Sequence, residues 1–457
     1  MKPQPYTFKR FILIALCWCL LGLQNEALGQ SKPTITNEYL QYAQELLAAN
    51  QFEVTLQILQ EHNFSQEQKN QYLFLLGLAS VELSLRTDDE EIQKDLLNQA
   101  VESFRKILID EPSLIRVRLE LARAFFLQNK DILAKEQFER VLASNPPPAV
   151  QSNINGFLNT MYNRRRLSGS LNIQMVRETN INSGTNDKII WFNSLPFTRS
   201  GADPKAATGM MTIGRGNYRH PLSETVDLLS ELSLSRTEFS GSDYDRTVID
   251  FYTGPVYRLN ERTSVGLQGY IISDINKNSP NRKLGGQVRI QHLLDIKTKL
   301  GVQLNFGKRT YTLSERAINN ANEYELGLSL NHRLSSTLTL NSGITFARSH
   351  VKYNPNLENR SFQWNAGISS LLNSGLTVGF GVSNSRKTYQ GQPGFPTRDG
   401  LPQKDKLLTL QATFLHRDLT FWGFSPQLVL INEKFQSNAQ ASDFNNNRAQ
   451  VVMVRQF

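Results

Sequence analysis

The strongest constraint on the fold is a long run of short segments, from about residue 166 to residue 457, in which apolar residues alternate with small or polar ones. In residues 376–382 (L-T-V-G-F-G-V) every second position is apolar, and the positions between are threonine or glycine. The same alternation recurs in residues 167–173, 300–306 and 408–414. A period of two residues is that of a β-strand with one apolar face. The opposite face is too polar to form a second core.

The connections between these segments predict how the strands are arranged. About fourteen strands can be counted, an even number within the range of single-chain outer-membrane barrels. Tight turns follow the even-numbered strands, for example at residues 260–263 and 373–375, whereas the odd-numbered ones are mostly followed by longer links rich in Asn, Gly, Ser and Pro. A soluble sandwich has no reason to segregate loop length in this way. We therefore predict that residues 163–457 form an antiparallel transmembrane β-barrel of about 14 strands.

The last segment, residues 451–457, ends on Phe457. A closed barrel needs its last strand to pair with its first, because an unpaired edge in lipid leaves backbone groups without hydrogen bonds. A terminal Phe also resembles the recognition signal of bacterial outer-membrane proteins, although Arg455 departs from the usual apolar residue. We therefore expect Phe457 to be the barrel's C-terminal signal. The expected partners are the barrel-insertion machinery and outer-membrane lipids, and the closed barrel is expected to be monomeric.

Residues 1–29 have the pattern of a secretory signal peptide. A positively charged start is followed by an uncharged apolar run at residues 11–23, and small residues precede a cleavage site between Gly29 and Gln30. The two cysteines of the chain, Cys17 and Cys19, lie in this run, so the mature chain is expected to have neither disulfides nor thiolate metal sites. The mean hydropathy of −0.38 argues against a helical membrane protein. The net charge of +9 suits anionic headgroups or an acidic partner, and nucleic acid is a poor candidate in an exported protein.

Between the signal peptide and the barrel, the period becomes helical and a repeat of 34 residues appears. Small, aromatic and terminating positions recur at the spacing of the second helix of a tetratricopeptide repeat, and a small and an aromatic residue precede the second set at first-helix positions. The predicted packing residues are Ala100, Phe104, Pro112, Ala122, Phe125, Ala134, Phe138 and Pro146. The predicted fold class is therefore α+β multidomain, with a periplasmic, tetratricopeptide-like α-solenoid at residues 30–162 followed by the barrel.

A tetratricopeptide solenoid has a concave surface that binds peptides or partner helices. Counting from the last repeat, Arg116, Arg123 and Phe126 are predicted to face that groove and to contact a bound client. The alternative is that they are ordinary solvated or packing residues, because solvent-facing helix positions are often charged.

The sequence contains no recognisable catalytic or metal site. Its six histidines are scattered without metal-ligand spacing. Ser349 and His350 are adjacent, which places their side chains on opposite faces of a strand and argues against a Ser–His pair. We predict that the protein is not an enzyme and needs no cofactor.

The order of these parts, together with the motif F-x-x-V-L-x-x-x-P-P-P formed by Phe138, Val141, Leu142 and residues 146–148, resembles the surface lipoprotein assembly modulator (Slam) family. The resemblance covers essentially the mature chain. It implies an outer-membrane factor that helps particular lipoproteins, or related secreted proteins, reach the cell surface. The helical repeats would hold the client in the periplasm, and the barrel would provide its route.

Two alternatives keep the architecture and change the function. A polysaccharide exporter also joins periplasmic helical repeats to a barrel, but typically has many more repeats and a lumen lined by charges complementary to the sugar. A porin-like channel leaves the helical repeats without a role. Co-expression with a neighbouring lipoprotein, followed by protease treatment of whole cells, would discriminate between the alternatives by showing whether that client becomes exposed.

Overall fold

The computed structural model describes residues 38–164, 166–198, 203–239, 243–416, 419, 421–422 and 424–456. The predicted signal peptide, its cleavage site at Gly29 and Gln30, and Phe457 all lie outside these residues. The chain divides into two compact units, one of helices and one that contains the strands together with residues 108–113.

The helical unit contains seven α-helices in residues 38–164. They are α1 (Glu38–Ala48), α2 (Phe52–Glu61), α3 (Lys69–Ser84), α4 (Glu90–Asp110), α5 (Ile115–Leu127), α6 (Asp131–Leu142) and α7 (Pro148–Arg164). Among the described residues, none of the helices has the length and hydrophobicity that a membrane span requires.

Three of the helix–helix turns use the same local chemistry. Asn50, Asn129 and Asn145 follow α1, α5 and α6 with φ values of 61°, 59° and 54°. This left-handed conformation ends a helix, and asparagine tolerates it better than most residues. The chain can then reverse direction within three to five residues, so that consecutive helices pack side by side.

Buried aromatic residues fill the space between the helices. Phe104 of α4 is fully buried, and a Cβ atom placed on Gly77 of α3 would lie 2.6 Å from its ring. The missing side chain of Gly77 therefore lets the two helices approach closely. The Phe138 ring stacks on Phe157 of α7 with a centroid separation of 5.1 Å, and Phe126 meets the same ring edge-on at 4.8 Å.

The strand unit is a closed antiparallel barrel of fourteen strands. Its strands are β1 (Leu167–Glu178), β4 (Ala207–Pro221), β5 (Val226–Phe239), β6 (Arg246–Arg258), β7 (Thr263–Asn276), β8 (Asn281–Leu293), β9 (Thr298–Tyr311), β10 (Ala321–Arg333), β11 (Leu338–His350), β12 (Asn359–Leu371), β13 (Leu376–Tyr389), β14 (Lys404–His416), β15 (Ser425–Ser437) and β16 (Phe444–Gln456). Each strand pairs with the next, and β1 closes the barrel by pairing with both β4 and β16. A separate hairpin of β2 (Ile189–Phe192) and β3 (Leu195–Thr198) lies in the link between β1 and β4.

The predicted barrel of about fourteen antiparallel strands preceded by a helical region is confirmed. The tetratricopeptide-like form of the helical region stays a prediction. At one end of the barrel, most links have four residues, as at 222–225, 259–262 and 334–337, whereas links at the other end reach the length of residues 179–206.

Candidate functional site

Contacts between strands that are not neighbours identify which side chains face the lumen. The Arg289 guanidinium on β8 lies 3.4 Å from the Glu231 carboxylate on β5, although β6 and β7 lie between them. Neighbouring strands are about 4.8 Å apart, so a direct contact across two intervening strands requires both side chains to project into the concave interior. Gln268 on β7 donates to the same Glu231 carboxylate at 3.3 Å. Side chains at every second position along each strand, counted from these residues, therefore face the lumen.

The part of the lumenal wall from β5 to β10 is lined by charges of both signs that pair with one another. The Glu323 carboxylate lies 2.9 Å from the Lys283 ammonium group and 3.0 Å from the Arg309 guanidinium. Asn305 donates to Glu325 at 3.0 Å and accepts from a neighbouring amide. Pairing neutralises most of the local field, so this wall is polar without a strong charge of either sign.

Glycines on this wall make room for one large ring. Tyr270 of β7 is buried, and a Cβ atom on Gly285 would lie 2.6 Å from its ring. A Cβ atom on Gly307 would lie 2.4 Å from the Tyr270 hydroxyl oxygen. The Tyr270 ring therefore lies over these two glycines, on β8 and β9.

The part of the wall from β11 to β14 carries small uncharged residues over most of its length. A cavity of about 420 Å³ lies along it. The lumenal residues that line this cavity include Asn341, Asn365, Gly379, Gly381, Ser383, Thr409 and Gln411. Amides and hydroxyls can donate and accept hydrogen bonds without attracting one sign of charge. The lumenal wall from β11 to β14 can therefore bind the backbone of an extended peptide or a neutral polar ligand.

Side chains of the opposite parity form an apolar outer surface. Leu232, Phe306, Phe346, Phe380 and Leu430 are all exposed there. Alternation of an outward apolar face with an inward polar face is the pattern of barrels that contact lipid. The outer surface is therefore suited to the hydrocarbon core of a membrane.

At the end with the longer loops, the β2–β3 hairpin is fixed to the link between β13 and β14. The backbone N–H of Asn193 donates to Thr397 O at 3.1 Å, and that of Ser194 donates to Arg398 O at 2.9 Å. The Arg398 guanidinium lies 5.4 Å from the centre of the Trp191 ring. Both turn residues have positive φ, as a tight two-residue hairpin requires. The hairpin is thus held at its tip as well as at its base.

A half-buried carboxyl group at this end, that of Asp443, makes the loops sensitive to pH. Burial raises the pKa of Asp443 to about 6, and the nearby Asp187 and Asp405 carboxylates add to the effect. The backbone N–H of Ser437 donates to the carboxylate at 2.5 Å, which opposes the shift, as does Lys434. Since the raised pKa means that the closed loop binds the proton more tightly than the open loop, the closed form is most stable below about pH 4 and loses stability as the pH rises towards about 6.

We therefore expect amide hydrogen exchange in residues 438–443 to be less protected at pH 7 than at pH 5, after correction for the intrinsic exchange rate. Asp443→Asn should abolish this difference, because the amide does not titrate. Equal or greater protection at pH 7 in the unsubstituted protein would contradict the assignment.

The predicted repeat-packing residues are all buried. They are Ala100, Phe104, Pro112, Ala122, Phe125, Ala134, Phe138 and Pro146. Burial is what a packing residue of any helical stack shows, so their assignment to tetratricopeptide positions stays a prediction.

The three residues predicted to face a client groove differ in accessibility. Arg116 is exposed, with its guanidinium 5.2 Å from the centre of the Phe74 ring. Arg123 and Phe126 are buried, and Arg123 is paired with Glu82 and Glu120. Of the three, Arg116 alone presents a side chain that a client can reach without rearrangement. Client contact by these residues stays a prediction.

Within the described parts of the chain, no group of three or more His, Cys, Asp or Glu residues could hold a metal ion. Ser349 lies on the lumenal parity of β11 and His350 on the outer parity, where its Nδ1 atom is 2.8 Å from Glu358. The paired charges of the lumen were not among the residues predicted from the sequence. Their signal was the charged residues on the polar parity of successive strands, but which of them meet depends on the curvature of the closed barrel.

A family model described as surface lipoprotein assembly modifier matches residues 168–457. A protein of Pasteurella multocida named surface lipoprotein assembly modifier is 22% identical over 396 residues, which cover 79% of this chain and 74% of that protein. Surface lipoprotein assembly modifier 1 of Neisseria meningitidis serogroup B is 23% identical over 389 residues, which cover 79% and 73%. Among solved structures, the outer membrane channel DcaP of Acinetobacter baumannii aligns with a TM-score of 0.38 and 8% identity over 64% of this chain and 96% of that one.

Proposed function

Since this chain belongs to the family of surface lipoprotein assembly modifiers, we propose that it helps specific lipoproteins, or related secreted proteins, to reach the cell surface. The family match covers the whole barrel, and the closed barrel with its apolar outer face supports a location in the outer membrane. In this proposal the helical unit lies in the periplasm and holds the client, and the barrel provides the route.

The observation that favours a polypeptide as cargo is the character of the lumen. Its charged wall pairs Glu231 with Arg289 and Glu323 with two basic residues, and its other wall presents amides and hydroxyls. A polypeptide carries charges of both signs and a polar backbone, so it can pass such walls without being held at one site. An exporter of an acidic polysaccharide would need a lining with a clear excess of positive charge.

The porin-like alternative explains the barrel but leaves the helical unit without a role. In the described residues 38–164, seven helices with buried apolar side chains precede the first strand. A diffusion channel requires no such unit. The helical unit therefore favours a function in which a second protein is bound before or during passage.

The test is deletion of the gene, followed by protease treatment of whole cells and by measurement of which lipoproteins lose surface exposure. We expect at least one lipoprotein to remain at its normal total level and to become protected from protease, because it would still be made and lipidated but would stay on the inner side. Complementation with the full chain should restore its exposure. Unchanged exposure of every lipoprotein, together with loss of an extracellular polysaccharide, would instead support the exporter.

A further inference from the structure

A groove of about 910 Å³ runs along the outer surface of the barrel across β11 to β16 and β1. The groove follows a row of side chains in which each residue is the register partner of the next across neighbouring strands. The row runs from Leu340 through Phe380, Ala412 and Ala449 to Arg177. The volume of the groove lies within the range of about 300–1,000 Å³ that is typical of small-ligand sites.

The groove exists because alanines interrupt a surface of larger residues. Ala366, Ala412 and Ala449 lie in it, whereas the large side chains of Phe380 and Leu410 border it. The lining is almost entirely apolar except at one end. A narrow, open and apolar groove on a lipid-facing surface fits a linear hydrocarbon chain better than it fits a folded protein.

The groove also changes height along the barrel. Leu340 is the third residue of β11, close to the end with four-residue turns. Arg177 is the eleventh residue of β1, close to the end with the longer loops. Because β-barrel strands are tilted by about 35–45° from the barrel axis, a row of register partners shifts along that axis from one strand to the next. Here the shift is towards the end with the longer loops. The groove therefore connects the two ends of the barrel, and with them the two leaflets of a surrounding membrane.

The end of the groove at Arg177, near the longer loops, carries hydrogen-bond donors. The Arg177 guanidinium donates to Thr208 Oγ1 at 3.1 Å and keeps further N–H groups. Asn432 and Asn447 lie at the same end, with the Asn432 amide donating to Asn447 Oδ1 at 2.7 Å. The ester and amide carbonyls of a lipid-modified protein N-terminus accept hydrogen bonds and bear no charge, so they match this end.

We propose that the groove holds the acyl chains of the client's lipid anchor while the anchor moves from the inner to the outer leaflet. This inference rests on the proposed function, because only a lipoprotein client has an anchor that must change leaflet. The polypeptide and its anchor would then follow separate paths: the chain through the polar lumen, the anchor along the apolar outer wall.

Filling the groove tests the proposal. Ala412→Trp and Ala449→Trp should abolish most of the surface exposure of the lipoprotein identified by gene deletion. They should leave unaffected the export of the same lipoprotein with its lipid-modified cysteine replaced by serine. The matched control is Gly214→Trp on β4, an outward position where an added Cβ meets nothing within 4 Å. Normal heat-dependent gel migration of each variant would show that the barrel has assembled.

Photocrosslinking provides a second test that does not depend on the variants. A benzophenone amino acid in place of Ala412, in cells fed alkyne-labelled palmitate, should yield a labelled adduct of the mass of this protein plus the lipoprotein. The same substitution at Leu328, on the outer face of β10, should yield only phospholipid-sized adducts. Phospholipid-sized adducts alone at position 412, normal exposure in the tryptophan variants, or an equal loss of the unlipidated client would each overturn the groove proposal. If gene deletion itself changes no lipoprotein, the proposed function fails instead.

Discussion

Replacing Arg123 by alanine is expected to destabilise the helical unit by about 3–5 kcal/mol, which is the usual effect of removing one partner from a buried ion pair. Arg123 Nη1 lies 2.7 Å from Glu82 and 3.6 Å from Glu120. Glu120 is 3% exposed, and its burial raises its pKa even though Arg123 opposes the shift. Without the guanidinium, the Glu120 carboxylate would either remain charged in an apolar interior or take up a proton. Both outcomes stabilise the unfolded state relative to the folded one.

The measurement is a urea titration of the full chain in detergent micelles, followed by the helical circular dichroism signal at 222 nm. Lys135→Ala is the control, since Lys135 pairs with Glu139 on the same unit but is largely exposed, and such pairs contribute about 0–1 kcal/mol. Adding Glu120→Gln to Arg123→Ala should recover part of the loss, because the unpaired charge is then removed. A loss for Arg123→Ala no larger than for the control would contradict the buried pair.

Replacing Phe104 by alanine is expected to cost about 3–5 kcal/mol, because it empties the space at the centre of the helical unit. The ring is fully buried and lies against the backbone of Gly77 and the ring of Phe74, whose centroid is 6.1 Å away. Glycine has no side chain that could move into the cavity, so relaxation around the missing ring is limited. Helices α3 and α4 should lose most of their mutual packing.

The same urea titration tests this prediction, with Ile92→Ala as a control on the same helix. Ile92 is 51% exposed, so its truncation removes little buried surface and should change the unfolding free energy by less than about 1 kcal/mol. Similar midpoints for the two variants would mean that Phe104 does not pack as described. Neither change should affect heat-dependent migration of the barrel, since both residues lie in the helical unit.

Much of the architecture follows from local patterns that are visible in the sequence. Alternation in residues 376–382 predicts which face of β13 is apolar, because the side-chain period of a strand is independent of its partners. The 34-residue spacing of Ala100 and Phe104 with Ala134 and Phe138 likewise predicts interior positions, and all four are buried. The number of strands follows in the same way, since each strand ends in a turn with its own composition.

What the sequence by itself determined is therefore the face on which each side chain lies. Only the tertiary structure decided which side chains share a height and meet. Glu231 and Arg289 are 58 residues apart and lie on strands that do not pair, so their contact depends on the curvature of the closed barrel. The alanines at 366, 412 and 449 form a groove only because the register of four successive strand pairs brings them together. Register and closure are non-local properties: they depend on the hydrogen bonds of every intervening strand pair, and no short stretch of sequence contains them.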